Sequence, residues 1–247
     1  MAKLNNKVLF FTTSPRSPAK MIPEIALLCE KFEGYPWNKM TQENFIDELA
    51  KSSFFEGIGS VTDKSFSARD RINRAPKALG FVDLKPYIEL TDAGKALING
   101  KRTQEIFLRQ LLKFQLPSPF HAENKRISGT FYIRPYLEIL RLIRELNHLT
   151  FDELKIFGMQ LTDYRKYDVI KNKILTFRAL KDQHRGKYKC FVNETWENAI
   201  LEIHKEKISA GNTKTRETRD ASLNKFVKTQ KSNLRDYTDA CFRYLRY

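Results

Sequence analysis

Two dipeptides with the same chemistry recur in similar surroundings, Arg69-Asp70 and Arg235-Asp236. The segments "SARDRINRAPKALGF" and "NLRDYTDACFRYLRY" align without a gap around them, so Leu79 matches Leu245 and Phe81 matches Tyr247. An arginine near the start of a groove-lying helix can make a bidentate pair to guanine O6 and N7, giving about 1–3 kcal/mol of discrimination. An aspartate beside it can orient the guanidinium or accept from cytosine N4. Asn73, Asn233 and Tyr237 fall at groove-facing offsets from these pairs, although Asn233 suits a helix N-cap equally well. The competing reading of each Arg-Asp pair is a surface ion pair of little energetic weight. The repetition favours base contact. Arg71, Arg74, Lys77, Lys228, Lys231 and Arg243 have the types expected of phosphate contacts, which release counterions and carry no sequence information.

Two acid-x-lysine patterns raise a different chemistry, Glu153-x-Lys155 and Glu123-x-Lys125. Metal-dependent nucleases use such a pair on a buried strand, where carboxylates hold Mg²⁺ and the lysine assists the attacking water. The first pair follows Thr150 as a helix capping box, and the second lies in a polar stretch with no strand pattern. Neither is assigned a catalytic role. The four histidines are isolated, and the three cysteines, Cys29, Cys190 and Cys241, form no metal-ligand spacing and no disulfide framework. No catalytic residue, metal or cofactor is expected in this chain.

The balance of charge agrees with the arginine reading. A formal net charge of +15 repels itself in a compact fold and calls for a polyanionic partner. With 41% hydrophobic residues, the 247-residue chain can still bury a core. Double-stranded DNA is the expected partner. No apolar run approaches a membrane span, "KVLFF" is too short for a secretory leader, and the sparse cysteines fit a reducing cytoplasm.

The elements that would carry these residues read as follows. "SPAKMIPEIALLCEKFEG" is a helix with Ile25, Leu28, Cys29 and Phe32 on one face, ending at Gly34. "TQENFIDELAKSSFF" is a second, capped by Thr41, with Phe45, Ile46 and Leu49 inward. "SFSARDRINRAPKALG" is a third, capped by Ser65 or Ser67, kinked by Pro76 and ended by Gly80. Two short apolar runs around a Lys-Pro turn follow, then a helix capped by Thr91 or Asp92. This is the order of a winged-helix module, whose third helix enters the major groove. A helix through "QEIFLRQLLKFQ" closes the module. Later helices are expected at "IRPYLEILRLIRELNHL", "TFDELKIFGMQL", "DYRKYDVIKNKILTFRALKDQ" (Tyr167, Ile170, Ile174, Phe177 and Leu180 inward), "ETWENAILEIHKEK" and the C-terminal stretch. The predicted class is mostly α with small β wings. A winged-helix subdomain spans 18–116, a helical or loop linker 117–132, and a second winged-helix-like subdomain 133–247, cut short at its wing.

The chain resembles the AlwI-like family of type IIS restriction endonucleases, including its nicking relatives. The resemblance is carried by "SPRSP" at 14–18, "FEG" at 32–34 with Trp37, "FSARDR" at 66–71, "GFV" at 80–82, "LTDAGKAL" at 90–97, "FLRQL" at 107–111, "KFQLPS" at 113–118 with His121, and "LRDYTDACFRYLRY" at the end. It implies a recognition region of two winged-helix subdomains reading a short asymmetric site. It also implies a Mg²⁺-dependent cleavage domain in a longer bacterial parent, with this region monomeric and itself non-catalytic. Residues 1–17 then read as an arm, in which Thr12, Thr13 and Ser14 donate to DNA and Arg16 enters a groove. The alternative for the arm is docking onto the protein. The alternatives for the whole chain are a dimeric winged-helix regulator on a palindrome and a self-sufficient metal-dependent nuclease.

Overall fold

The computed structural model describes residues 7–55, 63–118, 133–215 and 221–247. They are mostly helical and fall into two compact units.

Of the described residues, the first unit holds 12–55, 63–118 and 240–247. Its helices are α1 (Pro18–Phe32), α2 (Lys39–Lys51), α3 (Lys64–Ile72), α4 (Ala75–Ala78), α5 (Asp92–Ile98) and α6 (Thr103–Lys113). Between α4 and α5 runs a hairpin of β1 (Val82–Asp83) and β2 (Glu89–Leu90), antiparallel, with Val82 opposite Leu90 and Asp83 opposite Glu89. The apolar stripe of α1 buries Met21, Ile25, Leu28 and Phe32, and α2 buries Phe45, Ile46 and Leu49. Phe81 stacks on Phe107 with centroids 6.0 Å apart, and Tyr244 lies against the other side of Phe107 at 5.7 Å. Two glycines are required by this packing. Gly80 turns the chain at φ +74°, and a Cβ on Gly94 would stand 2.1 Å from the Phe81 carbonyl oxygen, so α5 can sit against the start of β1 only with glycine there.

Local chemistry sets the helix boundaries, in places against expectation. Asn38, not Thr41, caps α2, its side chain accepting from the Thr41 N–H at 3.0 Å. Asp63, not Ser65 or Ser67, caps α3, accepting from the Phe66 N–H at 2.8 Å. Ser65 is buried and donates to Gln42 Oε1 at 2.6 Å. Pro76 does not kink a long helix. The helix stops at Ile72, and Pro76 stands in the first turn of the separate α4, where its missing N–H costs nothing.

Of the described residues, the second unit holds 7–11, 133–215 and 221–239. It contains α7 (Pro135–Leu146), α8 (Phe151–Ile156), α9 (Tyr167–Gln183), α10 (Tyr188–Ile203), α11 (Lys205–Ser209) and the first part of α12 (Leu223–Arg246), with single 3₁₀ turns at Gly158–Gln160, Tyr164–Lys166 and Arg185–Lys187. Thr150 and Glu153 form the expected capping box of α8. Tyr167, Ile170, Ile174 and Phe177 point inward from α9 as expected, but Leu180 is exposed.

Among the described residues this unit has no hairpin, and the two aligned basic segments fold differently. Residues 65–79 break between α3 and α4, whereas Leu223–Arg246 is one continuous 24-residue helix. The sequence states why. Pro76 and Gly80 in the first segment stand opposite Phe242 and Arg246 in the second, which have no reason to interrupt a helix. Of the expected linker at 117–132, residues 119–132, with His121, Glu123 and Lys125, lie outside the described residues.

Candidate nucleic-acid interface

The amphipathic pattern of α3 decides which of its side chains face outward. Ser65, Ala68 and Ile72 are buried. Phe66, Arg69, Asp70 and Asn73, spaced i, i+3, i+4 and i+7, therefore share the opposite face. Arg69 is exposed and makes no hydrogen bond or ion pair among the described residues. Asp70 is engaged, 2.5 Å from Arg74 one turn on. Arg74 also donates to Thr13 Oγ1 at 3.0 Å. Asn73 accepts from the Trp37 indole N–H at 2.8 Å. With that oxygen occupied, its amide cannot form the bidentate adenine pair.

Arg71 is held by the buried carboxylate of Glu24 and lies over the Phe55 ring, 5.0 Å from its centroid. Burial raises the Glu24 pKa, and the attraction of Arg71 offsets only part of that. Burial, with Lys85 nearby, lowers the Lys77 pKa. Of the cations expected on phosphates here, Arg71 and Arg74 are thus structural ties.

The arm is folded onto the protein. Leu9 and Phe11 are fully buried in the second unit, where the Leu9 N–H donates to the Met159 carbonyl at 2.7 Å. In the first unit Thr12 is buried, the Pro15 carbonyl accepts from the Tyr244 hydroxyl at 3.0 Å, and the Arg16 carbonyl accepts from Arg243. Thr12, Thr13 and Arg243 are occupied in holding this segment. The Arg16 side chain remains exposed. It shares a groove of about 610 Å³ with Ser14, Lys20, Phe66, Asp70 and Arg71. Four expected site residues, Ser14, Arg16, Asp70 and Arg71, meet there.

Lys20 and Phe66 were not anticipated as site residues. Phe66 could have been found, because it is an apolar residue opposite the stripe formed by residues 65, 68 and 72, and it is 44% exposed.

The second expected reading set lies on the part of α12 that belongs to the second unit. Phe226, Val227, Leu234 and Thr238 are buried. Lys228, Asn233, Arg235 and Asp236 are exposed and make no hydrogen bond or ion pair among the described residues. Tyr237 is half-buried and packs edge-on against Phe10 at 5.5 Å. Lys231 pairs with Glu197 at 2.9 Å and lies over Trp196.

The acid-x-lysine pair does not fit a metal-binding nuclease site. Arg178 grips Glu153, with Nε 2.8 Å from Oε1, and Lys155 pairs with Asp152 at 2.6 Å. Burial pushes the Glu153 pKa up, but Arg178 and the Thr150 cap outweigh it and hold the carboxyl below its ordinary value. Glu153 serves the junction of α8 with α9, and Lys155 lies over the Trp196 ring of α10. Among the described residues, no group of three or more His, Cys, Asp or Glu could hold a metal ion. No described helix is long and apolar enough to cross a membrane.

Comparison with curated proteins finds no match. A family model described as AlwI restriction endonuclease matches residues 77–247. The match spans the hairpin, α5–α12 and the exposed set on α12, and leaves the arm and α3 outside it. DNA is the partner this membership implies, and the chemistry of the family is that of a restriction nuclease. By a match that covers more than half of its length, the chain belongs to the AlwI restriction endonuclease family.

Proposed function

We propose that the chain is the sequence-reading part of a type IIS restriction endonuclease, bound to a short asymmetric duplex site. The observation that carries this reading is the outward face of α3. Arg69 is exposed there without a partner among the described residues, beside a groove that gathers Ser14, Arg16, Phe66 and Asp70. A guanidinium held on a short rigid helix can address a guanine edge, and an exposed aromatic edge can meet a thymine methyl.

In this reading the first unit acts as a winged helix. α3 lies in the major groove, and the β1–β2 hairpin, with Lys77 before it, lies along the backbone. Arg235, Asp236 and Asn233 on α12 supply further base contacts, and Lys228 a phosphate contact. The region works as a monomer in the bacterial cytoplasm. Hydrolysis belongs to a Mg²⁺-dependent domain of the parent enzyme.

Selection of random duplexes on the purified chain at physiological salt, followed by sequencing, tests the proposal. A short asymmetric motif is expected. Arg69→Ala and Arg235→Ala should each relax it at one or two base pairs, by about 1–3 kcal/mol per lost bidentate pair. A palindrome, or preferences untouched by both substitutions, would overturn the assignment.

A further inference from the structure

The second unit carries a concentration of positive charge that the base-reading sets do not use. From Asp163 to Lys189 the chain has nine Lys and Arg against three Asp. The three acids are already engaged, Asp163 with Arg165, Asp168 with Lys171 and Asp182 with Arg185. Beyond those pairs, Lys173, Lys187 and Lys189 are exposed and make no hydrogen bond or ion pair among the described residues.

They lie on α9 and at the corner that follows it, with Lys173 about 15 Å of helix before the end of α9. Lys173 is on α9, the 3₁₀ turn Arg185–Lys187 joins α9 to α10, and Lys189 opens α10. The corner is rigid. His184 stacks on Phe191 with centroids 4.6 Å apart, Phe191 stacks on Phe177, and the Tyr188 hydroxyl donates to Asp152 at 2.9 Å.

Elsewhere the fold spends many of its cations on neighbouring carboxylates, as at Arg71–Glu24, Lys64–Asp47 and Arg178–Glu153. Here several like charges stand unneutralised along one helix and the turn that follows it, which costs stability unless a polyanion meets them. The side chains at the tip, Gln183, His184, Arg185 and Lys187, are polar and exposed, with no apolar group to enter a lipid surface.

We infer that the α9–α10 corner is a second DNA contact, a phosphate-backbone tract that supplies sequence-independent affinity apart from the reading residues. The inference rests on duplex DNA being the partner, and not on which residues read its bases.

The test is the salt dependence of binding to a random-sequence duplex. Roughly one counterion is released per phosphate contacted. The variant K173Q/K187Q/K189Q should therefore lose about two to three from the slope of log K against log salt, while keeping the sequence preference of the parent chain. The substituted side chains are exposed and unpaired among the described residues, so the fold should survive, as a thermal melt will show. A charge-matched variant on the first unit, K95Q/K101Q/K113Q, should lose less than one.

An unchanged slope in the corner variant, or an equal loss in both variants, overturns the tract. So does a loss confined to binding of phosphatidylserine vesicles. Failure of the base-reading proposal would look different, because the parent chain would then select no motif while the slopes still separated.

Discussion

Arg69 and Asn73 are four residues apart on the same face of α3, yet the structure assigns them opposite work. Asn73 accepts the Trp37 indole hydrogen bond, and Arg69 makes no hydrogen bond or ion pair among the described residues. Asn73→Ala should cost about 1–2 kcal/mol in denaturant unfolding, because a part-buried indole N–H loses its acceptor. Arg69→Ala should cost less than about 0.5 kcal/mol while degrading sequence preference. The reverse pattern would exchange their roles. The sequence could place both residues on one face, but not tell them apart, because Trp37 reaches Asn73 from before α2. The cysteines divide in a similar way. Burial pushes the Cys29 thiol up to about 12, with Glu33 adding to it, and burial also raises Cys241, whereas Cys190 is exposed. A thiol reagent should modify Cys190 alone in the native chain and all three in denaturant, and Cys190→Ser should abolish the native reaction.

Among the elements, two buried groups make the second unit sensitive to acid. Burial, helped by the nearby Lys207 and Lys7 ammoniums, lowers the His204 pKa to about 4, and its ring meets Phe226 edge-on at 5.2 Å, where α10, α11 and α12 converge. A depressed histidine stays neutral in the fold while the unfolded chain takes up the proton. Its contribution is therefore complete above the ordinary histidine value and is lost as pH falls toward 4, by up to roughly 3 kcal/mol. Glu153 is also depressed, so its contribution is complete above the ordinary carboxylate value and is lost lower down. His204→Phe should flatten stability between about pH 6.5 and 4 and leave the drop below it, as urea titrations at several pH values would show. Arg178→Ala should cost about 3 kcal/mol at neutral pH, because Glu153 is then left buried without its cation. Helix stripes and two caps, Thr91 and Thr150, were legible as local patterns. Asn38 and Asp63 were missed because hydroxyl residues that could also cap follow each of them, and only packing shows that Thr41 and Ser65 are buried.

The two units are assembled from separate pieces of chain, which no linear division of the sequence could show. Val8, Leu9 and Phe11 read as part of an arm but are core in the second unit, while α12 gives its residues up to Asp239 to the second unit and Ala240 onward to the first. The apparent repeat at the C-terminus was persuasive for the same reason, since "DACFRYLRY" resembles the start of a module and instead completes another. Ala240, Cys241 and Tyr244 are almost fully buried, and Tyr244 both lies against Phe107 and donates to the Pro15 carbonyl. A chain ending at Asp239 should therefore lose the first unit selectively. Removing a buried tyrosine alone costs about 3–5 kcal/mol by analogy with large aromatic truncations, a large share of the stability of a domain this size. Hydrogen exchange should show protection lost in α1 and α6 while α7 and α9 retain theirs. Tyr244→Phe, which removes only the hydroxyl, should cost about 1 kcal/mol and preserve the protection pattern. Equal loss of protection in both units of the shortened chain would show that they fold as one, and that the end of α12 is not specific to the first.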